Sequence, residues 1–251
     1  MSKNTNPIPE QDFLQGLKNP LNRRSFLQYT GAGVAASALL LAGCDDDDDM
    51  TDTNMPGTVN LGSNDVGILN YAYALEQLEA AFYTAVVALP NFSTLFTSAT
   101  ERQVLTDIRN HEVAHREFFK AAITAAAPSQ IIPSLTPKLD PSALASRASI
   151  LATAKTFEDL GVAAYNGAGK LLTNPTFLSI AGKIVSVEAR HAAEIRDMIE
   201  NGTFASGAAG ITSGNIVDAN GLDVALTPAQ VLAAAQPFIQ ETINGSNLPT
   251  T

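Results

Sequence analysis

Tryptophan is absent from this sequence, aromatic residues make up only 6% of it, and there is a single cysteine. Hydrophobic residues nevertheless reach 45%, enough for a sizeable core, and they are rich in Ala and Leu. This composition favours closely packed helices over stacked β-sheets. Charged residues are scarce at 16%, and the formal net charge of −10 leaves no basic stripe for phosphate contacts. We therefore expect no nucleic-acid partner, whereas an acidic surface attracts cations or simply keeps the protein soluble.

The first 44 residues have the features of a bacterial export signal. Residues 22–27 read Asn-Arg-Arg-Ser-Phe-Leu and precede an apolar run, Val34–Ala42, a combination similar to a twin-arginine signal. The run is too short to span a bilayer. Residues 41–44 read Leu-Ala-Gly-Cys, which resembles a lipobox with cleavage before Cys44. We therefore predict an exported lipoprotein of the periplasm or cell surface, anchored to the membrane through lipidated Cys44.

After residues 1–44, the sequence divides into three parts. Residues 45–62 begin with five aspartates and continue with Thr, Asn, Pro and Gly, a composition typical of an acidic, flexible tether. Residues 63–202 carry the helical hydrophobic period. Residues 203–251 form a C-terminal extension, in which Thr227-Pro228 predicts the start of a short helix that runs to about residue 242. No segment after the signal alternates long enough at period two to predict a sheet.

Four helical segments of similar length are predicted within this helical part. Segment A covers about 64–89, segment B about 98–126, segment C about 142–172 and segment D about 174–201. Residues 127–141 hold four prolines and form the longest connection, as in a bundle whose chain crosses between helix pairs. The predicted fold is therefore an all-α four-helix bundle with a long B–C crossover and a short extra C-terminal helix.

Two of the three histidines in the chain end a Glu-x-x-His motif. Glu112 and His115 belong to segment B, and Glu188 and His191 belong to segment D. Residues three apart lie on one face of a helix, so each motif presents a carboxylate beside an imidazole.

Segments A and C repeat a second pattern. Glu76 precedes Tyr83 by seven residues, and Glu158 precedes Tyr165 by seven. Seven residues are close to two helical turns, so each carboxylate shares a helix face with its tyrosine. The order along the chain is thus Glu, Glu-x-x-His, Glu, Glu-x-x-His, an internal two-fold repeat of metal-ligand chemistry.

This order resembles the ferritin-like superfamily, whose bundles take one Glu from each of two helices and one Glu-x-x-His from each of the other two. The sequence is also similar to exported ferritin-like proteins with Leu-Glu-x-Leu-Glu-Ala in the first helix, because residues 75–80 read Leu-Glu-Gln-Leu-Glu-Ala. The resemblance covers about residues 64–201. It implies a centre of two iron or two manganese ions, bridged by Glu112 and Glu188. The implied metal ligands are Glu76, Glu112, His115, Glu158, Glu188 and His191.

The resemblance also implies an activity. Carboxylates and imidazoles together suit iron or manganese and leave positions for a small oxidant, so oxidation of Fe(II) by oxygen or peroxide and removal of peroxide are the expected reactions. The sequence leaves open whether the protein is such an oxidoreductase, either a ferroxidase or a peroxidase/catalase-like enzyme. Tyr83 and Tyr165 are expected beside the ligands. A lipid anchor at Cys44 argues against a closed iron-storage cage, whereas a homodimer formed through outer bundle faces is compatible with it.

Two acidic neighbours of the implied ligands need separate consideration. Glu79 lies three residues after Glu76 and is the alternative ligand of segment A, although the spacing to Tyr83 favours Glu76. Asp159 points about 100° away from Glu158 around the helix and is expected to face solvent or a partner helix.

Two other hypotheses compete with the di-metal centre. Residues 111–115 read His-Glu-Val-Ala-His, the H-E-x-x-H motif in which both histidines of a zinc protease bind the metal. That hypothesis leaves the matched Glu and Tyr residues of segments A and C unexplained; in the preferred one, His111 only flanks the site. The third hypothesis is a metal-free helical scaffold or stress-associated structural protein, whose buried polar residues fix the helix register.

Overall fold

The computed structural model describes residues 57–205, 216–218 and 220–250. The predicted signal, the lipidation site Cys44 and most of the predicted tether lie outside these residues. Among the helices that are described, none combines the length and the apolar character needed to cross a membrane.

Five helices cover the region predicted to be helical. They are α1 (Asn64–Val87), the short α2 (Phe92–Leu95), α3 (Ala99–Ala126), α4 (Arg147–Gly169) and α5 (Pro175–Ile199). Helix α1 packs along α3, and α4 packs along α5; the two pairs meet where α1 contacts α4 and where α3 contacts α5. The predicted all-α four-helix bundle, with its long crossover between the second and third long helices, is therefore confirmed.

The helix starts follow from their capping residues. The Asn174 side chain accepts a hydrogen bond from Thr176 N, and Pro175 takes the first helical position of α5, as the sequence predicts. Helix α4 begins later than predicted, because Ser146 and Ser149 form a reciprocal capping box there. The residues before it, Pro141–Leu144, form a separate 3-10 helix.

Helices α1 and α4 are buried on every side along their middle turns. Every residue from Gly67 to Ala80 is buried, as is every residue from Phe157 to Tyr165. Helices α3 and α5 instead bury one face and expose the other. The other three helices of a bundle cover only one side of a helix, so a helix that is buried on every side needs further segments to cover it. In this protein the crossover covers α1, and the C-terminal segment covers α4.

Two buried amides of α1 hold the crossover. Asn70 Nδ2 donates to the carbonyl oxygen of Gln130, and Asn70 Oδ1 accepts from Ile132 N. Gln77 Oε1 accepts a hydrogen bond from Leu135 N at 2.8 Å. These side chains satisfy the backbone of a proline-rich loop that makes few bonds of its own.

The C-terminal segment packs closely on α4. Leu226 N donates to the carbonyl oxygen of Ala163, and a β-carbon at Gly167 would lie only 1.7 Å from the carbonyl oxygen of Leu226. The Phe238 ring meets the Phe157 ring edge-on, with centroids 4.8 Å apart. The absence of a side chain at Gly167 therefore lets this segment lie directly against the helix.

Two features of the C-terminal segment differ from the sequence prediction. Helix α6 (Pro228–Ala235) starts where predicted but ends earlier, in a 3-10 helix that contains Pro237. Strands β1 (Thr58–Asn60) and β2 (Thr242–Asn244) form a small parallel sheet, although no sheet is predicted. Three residues are too few to show period-two alternation. Strand β1 lies within the segment assigned to the tether, so part of that segment is joined to the domain.

Candidate metal centre

Each long helix brings at least one glutamate to the middle of the bundle. Glu76 on α1, Glu112 on α3, Glu158 on α4 and Glu188 on α5 are all fully buried, with 0% of their surface exposed. Glu112 takes a position in the buried stripe of α3 that otherwise holds only apolar residues, namely Leu105, Ile108, Phe119 and Ile123. Burial of four carboxylates is costly unless cations or protons compensate their charge.

The six implied ligands come together in two groups. In each group, one ligand atom per residue lies within 4.8 Å of the others. The His115 group consists of Glu76, Glu112, His115 and Glu188, and the His191 group consists of Glu112, Glu158, Glu188 and His191. Glu112 and Glu188 belong to both groups. They are the two residues expected to bridge the metal ions. Such a cluster could hold metal ions.

The two shared carboxylates divide their oxygens between the groups. Glu112 Oε2 lies 3.4 Å from His115 Nδ1, and its Oε1 lies 2.7 Å from His191 Nδ1. Glu188 Oε1 lies 3.0 Å from His115 Nδ1, and its Oε2 lies 4.0 Å from His191 Nδ1. Each shared carboxylate therefore faces both imidazoles, with one oxygen toward each.

The unshared carboxylates are held across the bundle by tyrosines. Tyr83 Oη on α1 donates to Glu158 Oε1 on α4 at 2.5 Å, and Tyr165 Oη on α4 donates to Glu76 Oε1 on α1. The sequence pattern pairs each glutamate with the tyrosine of its own helix, whereas the hydrogen bonds join opposite helices. In both carboxylates Oε2 remains free of hydrogen bonds and faces the imidazole of its own group.

The remaining atoms of the cluster make no hydrogen bonds to one another. Buried ligand atoms without a hydrogen-bond partner among the described residues are Glu76 Oε2, both oxygens of Glu112, His115 Nδ1, Glu158 Oε2, both oxygens of Glu188 and His191 Nδ1. They approach one another within 2.7–4.0 Å, yet none of these approaches forms a hydrogen bond. Buried polar atoms are normally satisfied, so this set requires an explanation. Oxygen and nitrogen atoms that converge on common points in this way fit metal coordination.

The surroundings shift the pKa values of the buried carboxyl groups in different directions. Burial raises the pKa of Glu76 to about 7, against the opposing effect of the His115 imidazole. Burial and neighbouring carboxylates likewise hold the pKa of Glu188 well above its usual range. Burial also acts to raise the pKa of Glu112, but His115 and His191 outweigh it and lower that pKa to about 2.

The imidazoles favour their protonated form at this site. Burial alone would lower the pKa of His115, but the surrounding carboxylates, first Glu112 and then Glu188, raise it far above its usual value. In the same way Glu158 and Glu112 overcome burial and raise the pKa of His191 to about 11. The cluster therefore retains protons unless a metal ion replaces them as the compensating charge.

Glu79 is a fifth buried glutamate but belongs to neither group. A β-carbon at Gly161 of α4 would lie 3.1 Å from Glu79 Oε1 and 3.4 Å from Glu188 Oε2. Glycine at this position leaves room for both carboxylates. Burial, and next the charge of Glu188, raise the pKa of Glu79 well above its usual range. Of the two candidates on α1, Glu76 lies in the ligand cluster, and Glu79 lies beside it.

His111 contacts the cluster from outside. Its Nδ1 lies 2.9 Å from His191 Nε2, and the two rings are nearly parallel, with centroids 5.1 Å apart. His111 belongs to neither ligand group. The two histidines of the H-E-x-x-H motif, His111 and His115, are thus not brought to one common position.

A buried ion pair lies next to the site and is not evident from the sequence. Asp159 is 5% exposed and Arg196 of α5 is 1% exposed; two hydrogen bonds of 2.8 and 2.7 Å join them. Asp159 therefore faces a partner helix, which is one of its two predicted environments. The sequence pattern does not single out Arg196, because its pairing depends on the register between α4 and α5.

Comparison with protein families places residues 64–201 in a known family. The model of a family described as a ferritin-like domain matches residues 64–201, which is more than half of the chain and extends from the first residue of α1 to just beyond α5. No curated protein matches the chain.

Proposed function

The chain belongs to the family of ferritin-like domain proteins, and from this premise we propose that it is an exported, membrane-anchored protein that holds two iron or two manganese ions. The proposed activity is redox chemistry on a small oxidant. Oxidation of Fe(II) by oxygen or peroxide is the first candidate reaction, and removal of peroxide is the second.

The division of the Glu112 and Glu188 oxygens between two groups carries this proposal. A site for one cation does not require two carboxylates that each face both imidazoles. Two divalent ions bring four positive charges, which the four carboxylates of the cluster balance, and the two imidazoles bind as neutral ligands. The set of oxygen and nitrogen donors suits iron or manganese.

The residues around the cluster have distinct roles in this proposal. Two iron or manganese ions bound here would supply one-electron steps between their divalent and trivalent states. Tyr165 and Tyr83 hold Glu76 and Glu158, so that one oxygen of each is fixed and the other faces the site. The burial of the carboxylates keeps bulk water away and strengthens their attraction for cations.

The geometry argues against the zinc-protease hypothesis. A zinc protease needs both histidines of H-E-x-x-H on one ion. Here Nδ1 of His111 contacts His191, while His115 faces Glu112 and Glu188. Catalytic zinc also takes few protein ligands in tetrahedral geometry, whereas this cluster offers six residues in two groups.

Redox activity is tested by loading the purified chain with Fe(II) under argon and mixing it with hydrogen peroxide. We expect half as much peroxide to be consumed as Fe(II), since peroxide accepts two electrons and two protons to give water. The matched variants are Glu112→Gln, which should lose the activity, and Glu117→Gln, which should keep it because Glu117 is an exposed residue of α3 paired with Arg116. Oxidation no faster than that of free Fe(II) in the same buffer would overturn the redox function and favour the metal-free scaffold.

A further inference from the structure

The two ligand groups are matched in composition but differ in what lies behind each imidazole. His191 Nε2 has a hydrogen-bonding partner, His111 Nδ1, at 2.9 Å. Among the described residues, no group hydrogen-bonds to Nε2 of His115, whose side chain is 13% exposed compared with 6% for His191. The two-fold repeat of the sequence is broken at this point, because the residue before Glu188 is Val187 where the residue before Glu112 is His111.

A second break in the repeat lies beside the same group. Glu79 follows Glu76 by three residues, and the residue that follows Glu158 by three is Gly161. Glu79 Oε1 and Glu188 Oε2 both lie close to Gly161. Glu188 Oε2 is the oxygen that faces His191. The additional carboxyl group therefore lies on the His191 side of the cluster.

The tyrosines do not distinguish the groups. Tyr83 holds Glu158 of the His191 group, and Tyr165 holds Glu76 of the His115 group, each by a hydrogen bond to Oε1. Since this support is equal on both sides, the differences between the groups lie elsewhere, foremost at the two unmatched positions, His111 and Glu79.

The contact with His111 suits the tautomer of His191 that metal binding through Nδ1 requires. For Nδ1 of His191 to bind a cation, its proton must sit on Nε2. That N–H then donates to Nδ1 of His111. His111 in turn carries its proton on Nε2. An outer hydrogen bond of this kind orients a ligand imidazole and typically changes metal affinity by about 10- to 100-fold.

Building on the proposed two-metal site, we propose that its two metal positions are unequal, with the tighter one in the His191 group, and that His111 is the positioning residue responsible. The ion in the His115 group is the exchangeable one. No outer partner among the described residues orients the imidazole of that group. The protein thus keeps one ion while the second is loaded and lost.

The test is stepwise titration of the metal-free chain with Mn(II) by isothermal titration calorimetry. We expect two dissociation constants that differ by at least about tenfold. Glu76→Gln, which disables the His115 group, should retain the tighter constant, and Glu158→Gln, which disables the His191 group, should retain the weaker one. Two equal constants in the wild-type chain would overturn the inference. Failure of the wild-type chain to bind any Mn(II) would instead contradict the proposed function itself.

Variants at residue 111 test the responsible contact. His111→Val, which copies Val187, should weaken Mn(II) binding by about tenfold in the Glu76→Gln background and leave it unchanged in the Glu158→Gln background. His111→Asn places an amide oxygen where Nδ1 stands and should restore the tighter constant. Equal weakening in both backgrounds, or no recovery with Asn, would rule out the positioning role.

Discussion

Tyr165 on α4 donates a hydrogen bond to Glu76 on α1, across the middle of the bundle. Its counterpart, Tyr83 on α1, donates in the opposite direction to Glu158 on α4. The two bonds tie together helices that belong to different helix pairs. They also leave the second oxygen of each carboxylate facing the imidazole of its group. Helix docking and ligand positioning are therefore performed by the same residues.

Tyr165→Phe should weaken metal binding in the His115 group by about tenfold, because Glu76 loses the donor that orients it. The loss of one buried hydrogen bond should also lower the free energy of unfolding by roughly 1 kcal/mol. Tyr71→Phe is the matched control: the Tyr71 hydroxyl is buried and has no hydrogen-bond partner among the described residues. Titration with Mn(II) and urea unfolding measure both effects. Equal losses in the two variants would contradict the role assigned to Tyr165.

The spacing of residues along single helices predicts most of the candidate site. Glu112 and His115 are three apart on α3, and helix geometry alone places them side by side. The same holds for Glu188 and His191. Contacts between helices are different, because they depend on the register with which helices dock. The crossed tyrosine bonds, the contact of His111 with His191 and the Asp159–Arg196 pair all belong to this second kind.

The fold likewise has features that the local sequence predicts and features that depend on contacts between distant residues. Proline and capping residues mark the ends of the long helices, and the proline-rich stretch marks the crossover. Strands β1 and β2 are not predictable, because their three residues each become strands only by pairing with a distant partner. The covering of α4 by the C-terminal segment likewise depends on a long-range contact, that between Leu226 and Gly167.

The metal-free protein should become less stable as the pH rises from about 5 to about 8. The pKa of Glu76 is raised from 4.5 to about 7, so the stabilisation from its protonated form is present below pH 4.5 and is lost as the pH rises through 7. The pKa of His191 is raised from 6.5 to about 11, so its contribution is lost in the same direction, at higher pH. Glu112 has a lowered pKa, near 2, and its stabilisation is constant above pH 4.5.

Bound metal should reverse this trend, because metal ions and protons compete for the same ligand atoms. The increase in the free energy of unfolding caused by Mn(II) should thus be larger at about pH 8 than at about pH 5. Urea unfolding with and without Mn(II) measures it. Glu76→Gln should flatten the metal-free pH profile, and Glu117→Gln should not. A metal-free chain whose stability rises over this range would contradict the assigned electrostatics.

The Asp159–Arg196 pair should be important for stability but not for metal binding. Arg196→Met removes both hydrogen bonds from the buried Asp159 carboxylate, although Lys155 still lies 3.4 Å from it, and should cost roughly 3–5 kcal/mol of unfolding free energy. The double variant Asp159→Leu with Arg196→Met should recover much of this loss, because no buried charge is left unpaired. Arg190→Met, at an exposed position of α5, is the control. A single variant as stable as the control would show that the pair is dispensable.

Membrane attachment should depend on Cys44. In bacteria fed a labelled fatty acid, the full chain should take up the label and fractionate with membranes, whereas Cys44→Ala should not be labelled. A chain that starts at Asp45 lacks the lipidation site and should be found in the soluble fraction. Labelling that persists without Cys44, or membrane association of the chain that starts at Asp45, would contradict lipid anchoring at this residue.

Metal content is the most direct test of the two-metal centre. Protein purified without chelator and reloaded with Fe(II), Mn(II) or Zn(II) would be measured by elemental analysis. We expect nearly two iron or manganese ions per wild-type chain. Glu76→Gln, which keeps the His191 group, should hold one ion. Glu112→Gln, which removes a ligand from both groups, should hold none. Glu117→Gln should retain two. A wild-type chain without stoichiometric metal, or with one tightly held zinc ion, would contradict the di-metal centre.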